Sequence, residues 1–283
     1  MRRESGLYII LMLLGLLIGC KQEDTNDLAG YKPNFVVEGW IEENGYPYVI
    51  LTHNLPFFTK LDSAQLSEAV IRWAKVTVSD GTTTEILTSR KDSRYFPPYL
   101  YRGNEIKGEK GKKYTLKVEY AGHVLTAETS IPNSVELDTL WFANKENNKK
   151  QLNIRFNDPA EEKNYYRIYT RTEKDKVFYP TLLSVQDDKY FNGKSLILNI
   201  NRGPKNNLTI KHEPYFNEGD TVYVKFAAIP KEGYDFWSSF NDEVINSSNP
   251  LVGTTGKINH NISGQAIGIW CGYAPKVYRV IAK

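Results

Sequence analysis

The stretch Val70-Ile71-Arg72-Trp73-Ala74-Lys75-Val76-Thr77-Val78-Ser79-Asp80-Gly81-Thr82-Thr83-Thr84-Glu85-Ile86-Leu87 decides the fold class. Val70, Arg72, Ala74, Val76 and Val78 alternate with Ile71, Trp73, Lys75 and Thr77, which is the period of a strand whose side chains point to opposite faces. Asp80-Gly81 then separates this run from Thr83 to Leu87, and Asp-Gly between two β-prone runs is the strongest local hairpin signal. Upstream, Phe35, Val37, Gly39 and Ile41 fall on one side of a strand, with Val36, Glu38 and Trp40 on the other. Asn44-Gly45 turns that strand into Tyr48-Val49-Ile50-Leu51. Downstream, Tyr114, Leu116, Val118 and Tyr120 alternate with polar residues, Ala121-Gly122 turns the chain, and Leu125 to Ile131 returns. Short strands at this spacing without an intervening helix predict an immunoglobulin-like β-sandwich over residues 34–132.

The alternation resumes beyond Pro132. Leu137–Phe142, Leu152 to Phe156, Tyr165–Tyr169 and Thr221–Ala228 read as strands, with Leu182–Val185, Ser195–Ile200 and Leu208–Lys211 weaker. Gly233–Ile245 differs: Trp237, Phe240 and Val244 recur at helical spacing, predicting a short helix near 234–245. Ala266–Tyr273 and Val277–Ile281 supply closing strands. Residues 133–283 are therefore expected to form a second, mostly β domain carrying that one helix. Composition agrees with an all-β chain: 19 Tyr and 12 Phe stand against 2 Met. A formal charge of +3 over 283 residues provides no field to steer nucleic acid. Of two cysteines only Cys271 lies in the sandwich region, so the fold is expected to rest on packing rather than a disulfide.

The amino terminus carries an address. Arg2 and Arg3 precede an apolar run, Leu7 to Ile18, that falls short of the ~20 residues needed to span a bilayer. Leu17-Ile18-Gly19-Cys20 looks like the bacterial lipobox, in which the cysteine thiol is acylated and the signal is cut before it. Residues 1–19 then read as a lipoprotein signal and 20–33 as a flexible polar tether. Acyl chains contribute roughly 0.8 kcal/mol per buried methylene, so two or more on Cys20 hold a protein on a bilayer where one does not.

No reaction is declared. His53, His123, His212 and His260 lack the paired spacing of zinc sites. Asp187-Asp188 with Asn192-Gly193 resembles a calcium loop, yet Tyr190 occupies a ligand position, so a turn is the better reading. Glu42-Glu43 and Glu161-Glu162 are sequence neighbours and would point to opposite faces of a strand. Cys271, between Trp270 and Gly272, reads as a buried structural thiol. No cofactor or metal is implied. The aromatic connections Phe57-Phe58 and Tyr95, Phe96, Tyr99 and Tyr101 fit either an interaction surface or a plug at the end of the sandwich.

Val36-Val37-Glu38-Gly39-Trp40-Ile41, Leu51-Thr52, Pro56-Phe57-Phe58, Ala74–Gly81 and Thr129-Ser130-Ile131-Pro132 occur in an order that resembles one family. So do Phe156-Asn157-Asp158-Pro159, Asn164-Tyr165-Tyr166, Phe191-Asn192-Gly193, Gly219-Asp220-Thr221-Val222, Trp237 to Asn249 and Ile267-Gly268-Ile269-Trp270. That family is the lipoprotein group called domain of unknown function 4249, and the likeness covers nearly the whole mature chain; Cys271 departs from it, standing where a small residue is expected. The resemblance implies an outer-membrane lipoprotein of Bacteroidota, of a kind often encoded beside TonB-dependent receptors, lipid-anchored and facing the cell exterior. Lys21-Gln22-Glu23-Asp24 resembles the acidic export tag of such lipoproteins, and Asp62-Ser63-Ala64 their O-glycosylation sequon at Ser63. No catalytic residues come with the family. The implied role is an accessory subunit of a TonB-dependent transporter that binds a nutrient or covers the barrel. A surface adhesin or structural module is the alternative, and a hydrolase whose residues converge only in three dimensions stands third.

Overall fold

A computed structural model describes residues 34–54, 68–204, 213–247 and 256–283. Sixteen strands and one helix occupy them. The strands are β1 (Phe35–Glu42), β2 (Tyr48–His53), β3 (Lys75–Ser79), β4 (Thr84–Ile86), β5 (Thr88–Lys91), β6 (Tyr99–Arg102), β7 (Lys113–Tyr120) and β8 (His123–Ser130). They continue as β9 (Leu137–Asn144), β10 (Lys149–Asn157), β11 (Tyr165–Thr172), β12 (Tyr179–Asp187), β13 (Ser195–Ile200), β14 (Phe216–Asn217) and β15 (Thr221–Ala228), before α1 (Lys231–Ser247) and β16 (Ala266–Ile281). The chain is mostly β and sandwich-like, as its alternation predicts.

One 8-stranded sheet, ordered β12-β11-β15-β16-β1-β2-β6-β5, organises the molecule. Two smaller sheets, β4-β3-β7-β8 and one of β13, β10, β9 and β14, share its inner core. On β1 the inner positions are Phe35, Val37 and Ile41; on β15 they are Val222, Val224, Phe226 and Ala228, all buried. Gly39 completes the inner row of β1 because the indole of Trp270 lies there: a Cβ at Gly39 would stand 2.7 Å from Trp270 Cε3. Trp270 itself is fully buried and donates from Nε1 to the Tyr114 carbonyl oxygen at 2.9 Å, tying β16 to β7 across the sandwich. The opposite, outer face of the sheet is covered in part by α1, through Phe236 and Trp237 against Ala227, Ile229, Ile269, Cys271 and Tyr273.

The division expected at 132/133 does not break this sheet. β16 is one strand of 16 residues rather than two closing strands. Its first half runs parallel to β1 (Phe35↔Ala266 through Glu42↔Tyr273), and its second half runs antiparallel to β15 (Ala228↔Ala274 through Thr221↔Ile281). The two halves of the chain are thus fused along one ladder, and the described residues all fall in a single compact unit. Pro275 is tolerated within β16 because beyond Tyr273 the strand has a neighbour on one side only, where a missing N–H breaks no second ladder.

The stretch from Val70 to Val78 also departs from its reading as one strand. Val70 bridges Thr52 of the large sheet, whereas Lys75–Ser79 pairs β4 and β7 of a small one. Between them the chain crosses from layer to layer, and Tyr101 holds the crossing: its hydroxyl donates to the Ile71 carbonyl at 2.9 Å and accepts from the Ala74 N–H at 3.0 Å. Trp73 is left 88% exposed at this crossing. The Leu208–Lys211 strand candidate lies outside the described residues.

Candidate ligand-binding face

Side chains that alternation directs away from the core meet on the outer face of the large sheet. β1 contributes Glu38, Trp40 and Glu42, and β2 contributes Tyr48. Trp40 and Tyr48 oppose each other in the β1–β2 ladder, and their rings stack at 5.2 Å and 6°. Tyr95, from the loop between β5 and β6, folds back over them at 5.6 Å from Trp40 and 6.4 Å from Tyr48. Arg102 of β6 lies over Tyr48 at 5.5 Å and over Tyr46 at 5.3 Å. Each aromatic pair contributes about 0.5–1.5 kcal/mol beyond its buried area, so the three rings form a stiff half-buried wall. Burial, aided by Tyr48, pushes the Tyr95 phenol up to about 12, so it stays neutral.

The loop carrying Tyr95 is pinned by a fork. Arg94 Nε donates to Asp92 Oδ1 at 2.9 Å and Nη2 to Oδ2 at 2.6 Å. These bonds hold the Asp92 carboxyl down to about 2 against an opposing burial effect.

Trp40 also packs against the second aromatic group on this face, beneath α1. Arg167 of β11 is only 5% exposed, and its guanidinium carbon lies 3.4 Å from the Trp237 ring centroid and 4.9 Å from that of Tyr169. Arg167 Nη1 and Trp237 Nε1 both donate to the Tyr273 hydroxyl oxygen, at 3.0 and 3.1 Å. Arg167 Nε is buried with no partner. Glu38, paired with Ile269 and Ile50 in the β1 ladders, is exposed to solvent. Surrounding protein nevertheless raises its pKa, with the Arg167 charge pulling the other way. Glu38 is an exposed carboxylate on the same side of β1 as Trp40. At the same face Lys225 pairs with Glu42 at 2.7 Å and lies 4.8 Å from the Tyr169 ring centroid.

This arrangement suits holding a ligand by stacking and charge. Burial pushes the Cys271 thiol up to about 12, which keeps it protonated and inert. His53 and His123 each lie 5.1 Å from the Phe35 ring, and no group of three potential metal ligands occurs among the described residues. Asp188 accepts the Asn164 N–H at 2.6 Å and its carbonyl accepts from Phe191 and Asn192, so that segment is a turn. A groove of about 290 Å³ along α1, lined by Ser239, Asp242, Glu243, Ile245, Asn246 and Lys257, shares no residue with the aromatic face.

Of the aromatic residues singled out from sequence, Tyr95 belongs to the face and Phe96 is 70% exposed beside it. Tyr99 is half-buried under Arg72, whose guanidinium lies 4.2 Å from its ring. Tyr101 is a correction: it points into the core and braces the layer crossing, so it offers no contact surface. Cys20, Leu17, Ile18, Gly19, Phe57, Phe58 and Ser63 lie outside the described residues. Sequence reading missed Tyr48, Arg167 and Trp237 as members of a site. For Tyr48 and Arg167 the available signal was parity, a large aromatic or charged residue at the outward position of a strand whose inward positions are apolar; Trp237 lies on α1, where its spacing marks only a helix face.

The chain belongs to the family described as domain of unknown function (DUF4249), whose profile matches residues 23–279. No curated protein matches it.

Proposed function

We propose that the protein is a lipid-anchored binding subunit of the outer-membrane surface that holds a nutrient ligand for a TonB-dependent transporter, or covers its barrel, without making or breaking bonds. The observation that carries this reading is the Trp40–Tyr48–Tyr95 wall with Arg102 beside it, half-exposed on the outer face of the sheet. Flat rings backed by rigid strands bind through area and stacking at low entropic cost. The lipobox-like Leu17-Ile18-Gly19-Cys20 supports the address, and the family resemblance supports the transporter as partner. Affinity isolation of the acylated protein from its own membranes in mild detergent is expected to recover a barrel receptor. Recovery as a free monomer overturns the reading. A second reading, a surface adhesin, draws on Trp73 and Phe96, which stand 88% and 70% exposed. Retention of a polymer without a receptor in the same experiment selects it.

A further inference from the structure

The large sheet has a step in it. β1 covers one side of β16 as far as the Glu42–Tyr273 pair and goes no further, while β15 covers the other side from Ala274 to Ile281. Ladder parity identifies what the uncovered side presents. Gln265 and Tyr273 turn their carbonyls to the β1 side, accepting from Phe35 and Glu43, whereas Ala282 turns its N–H to Asp220, beside β15. Odd positions of β16 therefore face the β1 side and even positions face β15. Beyond Tyr273 the odd positions are Pro275, Val277, Arg279 and Ile281, and no second strand or bridge pairs them among the described residues. Proteins ordinarily blunt such edges with charge, proline or a bulge. The two ends of this sheet are blunted: β5 is four exposed residues closing on Arg90-Lys91, and β12 carries Pro180, a register slip and Leu183 at φ 58°. The step has Pro275 at its rim, then runs through Val277-Tyr278-Arg279-Val280-Ile281, β-branched or aromatic at every position but Arg279. Arg171 of β11, Tyr223 of β15 and Arg279 stand on one rung, with the Arg171 guanidinium 3.9 Å from the Tyr223 ring centroid. Exposed Val277 and Ile281 flank Arg279 on the same face. Glu173 holds Arg279 only loosely, at 3.8 Å with both side chains more than half exposed.

We propose that this step is a docking edge for an extended acidic segment of a partner protein, which adds to β16 as a strand and sets a carboxylate opposite Arg279. Three N–H groups two residues apart, each with its carbonyl, match another extended backbone and little else. The outer side chains give the choice of segment: a carboxylate beside Arg279 continues the Arg171–Tyr223–Arg279 rung, and apolar residues two positions to either side meet Val277 and Ile281. Opposite charges across a strand pair stabilise it and like charges destabilise it. The same rule disfavours a second copy as occupant, because antiparallel self-pairing through all three N–H groups sets Arg279 against Arg279. The edge is separate from the aromatic wall, so the proposal goes beyond the binding role of that face and stands whether or not the wall holds a ligand.

The test uses the full chain in detergent, amide hydrogen exchange resolved by NMR, and the peptide acetyl-Thr-Val-Thr-Glu-Thr-Val-Thr-amide as probe. In the free protein the Val277, Arg279 and Ile281 amides are expected to exchange at least about a hundredfold faster than those of Tyr278 and Val280, which face β15. Saturating peptide is expected to slow the three odd-numbered amides at least about tenfold and leave the even-numbered pair unchanged, an alternation that binding elsewhere on the surface does not produce. Replacing the peptide's glutamate by lysine is expected to weaken binding about tenfold, and Arg279→Glu, at an exposed position, to reverse that preference. Equal protection of odd and even amides in the free protein, no slowing at millimolar peptide, or indifference to the peptide's charge overturns the proposal. Protection of the odd amides that rises with protein concentration in the absence of peptide also overturns it, and assigns the edge to a second copy of the chain.

Discussion

Cys271 shows how much one side chain's size decides. Its sulfur is fully buried, and a Cβ placed on Gly233 of α1 would stand 2.6 Å from it. Cys271 is therefore matched by a glycine in the helix packed on it. Gly233→Ala gains about 0.8–1 kcal/mol of helix propensity but forces overpacking that costs about 1–3 kcal/mol, so a net loss of stability is expected. In a Cys271→Ala background the obstruction is gone, and the same substitution is expected to become neutral or stabilising. A double-mutant cycle by urea unfolding checks this, and additivity of the two changes would refute the contact. The thiol is expected to resist iodoacetamide in native protein at pH 8 and to react on unfolding, since burial holds it up to about 12. Glu85 makes a second residue-scale case. It is 6% exposed and accepts backbone N–H groups from Asn104, Glu105 and Ile106, clipping β4 to the segment after β6. Glu85→Ala leaves the buried Ile106 amide and two part-buried amides without their acceptor and is expected to cost about 1–3 kcal/mol, read as a fall in urea midpoint. In sequence, Glu85 was only one polar residue in the return strand of a hairpin. Nothing local marks a carboxylate whose partners lie some twenty residues on.

At the scale of elements, most strands were legible because alternation is a local property. Thr221–Ala228 is legible as a strand and Phe35–Ile41 as a strand with its two faces separated, and Asp80-Gly81 turns β3 into β4 with Asp80 accepting the Thr82 and Thr83 N–H groups. The failures occur where alternation persists while the chain changes partners: at Ile71–Ala74, which crosses layers, and at Ala274–Pro275, where β16 exchanges β1 for β15. The loop between β5 and β6 yields a pH prediction. Asp92's folded-state pKa, about 2, lies below its ordinary 3.8, so its contribution is complete above pH about 4 and is lost as pH falls towards 2. Protonation releases the Arg94 fork, which is expected to let Tyr95 leave Trp40 and to change Trp fluorescence in that window before global unfolding. Asp80 and Glu119 are also held low, so Asp92→Asn is the control. It should show the released spectrum at pH 7 and lack the acid step.

For the whole molecule, the consequential feature is the parallel pairing of its first described strand with its last. Parallel partners at opposite ends of a chain leave no turn signal between them, which is why two consecutive sandwiches were the natural reading of the sequence. The pairing has a mechanical consequence. Residues 34–132 alone lack β16, so β1 loses a neighbour along its whole length and Trp270 no longer fills the space over Gly39 and beneath Tyr114. Removal of a fully buried tryptophan alone costs about 3–5 kcal/mol, a large share of the 5–15 kcal/mol that holds a domain folded. The isolated fragment is expected to lack near-ultraviolet dichroism and to bind a hydrophobic dye, whereas residues 20–283 unfold in one transition seen alike by Trp fluorescence and far-ultraviolet dichroism. Mixing the fragment with residues 133–283 should restore the native spectrum through the β1–β16 ladder, and Gly39→Leu, which occupies the indole's space, should abolish that restoration. A fragment that folds by itself with its own cooperative transition would return the molecule to two independent sandwiches and detach the outer face's left half, Trp40 and Tyr48, from its right half, Arg167 and Trp237.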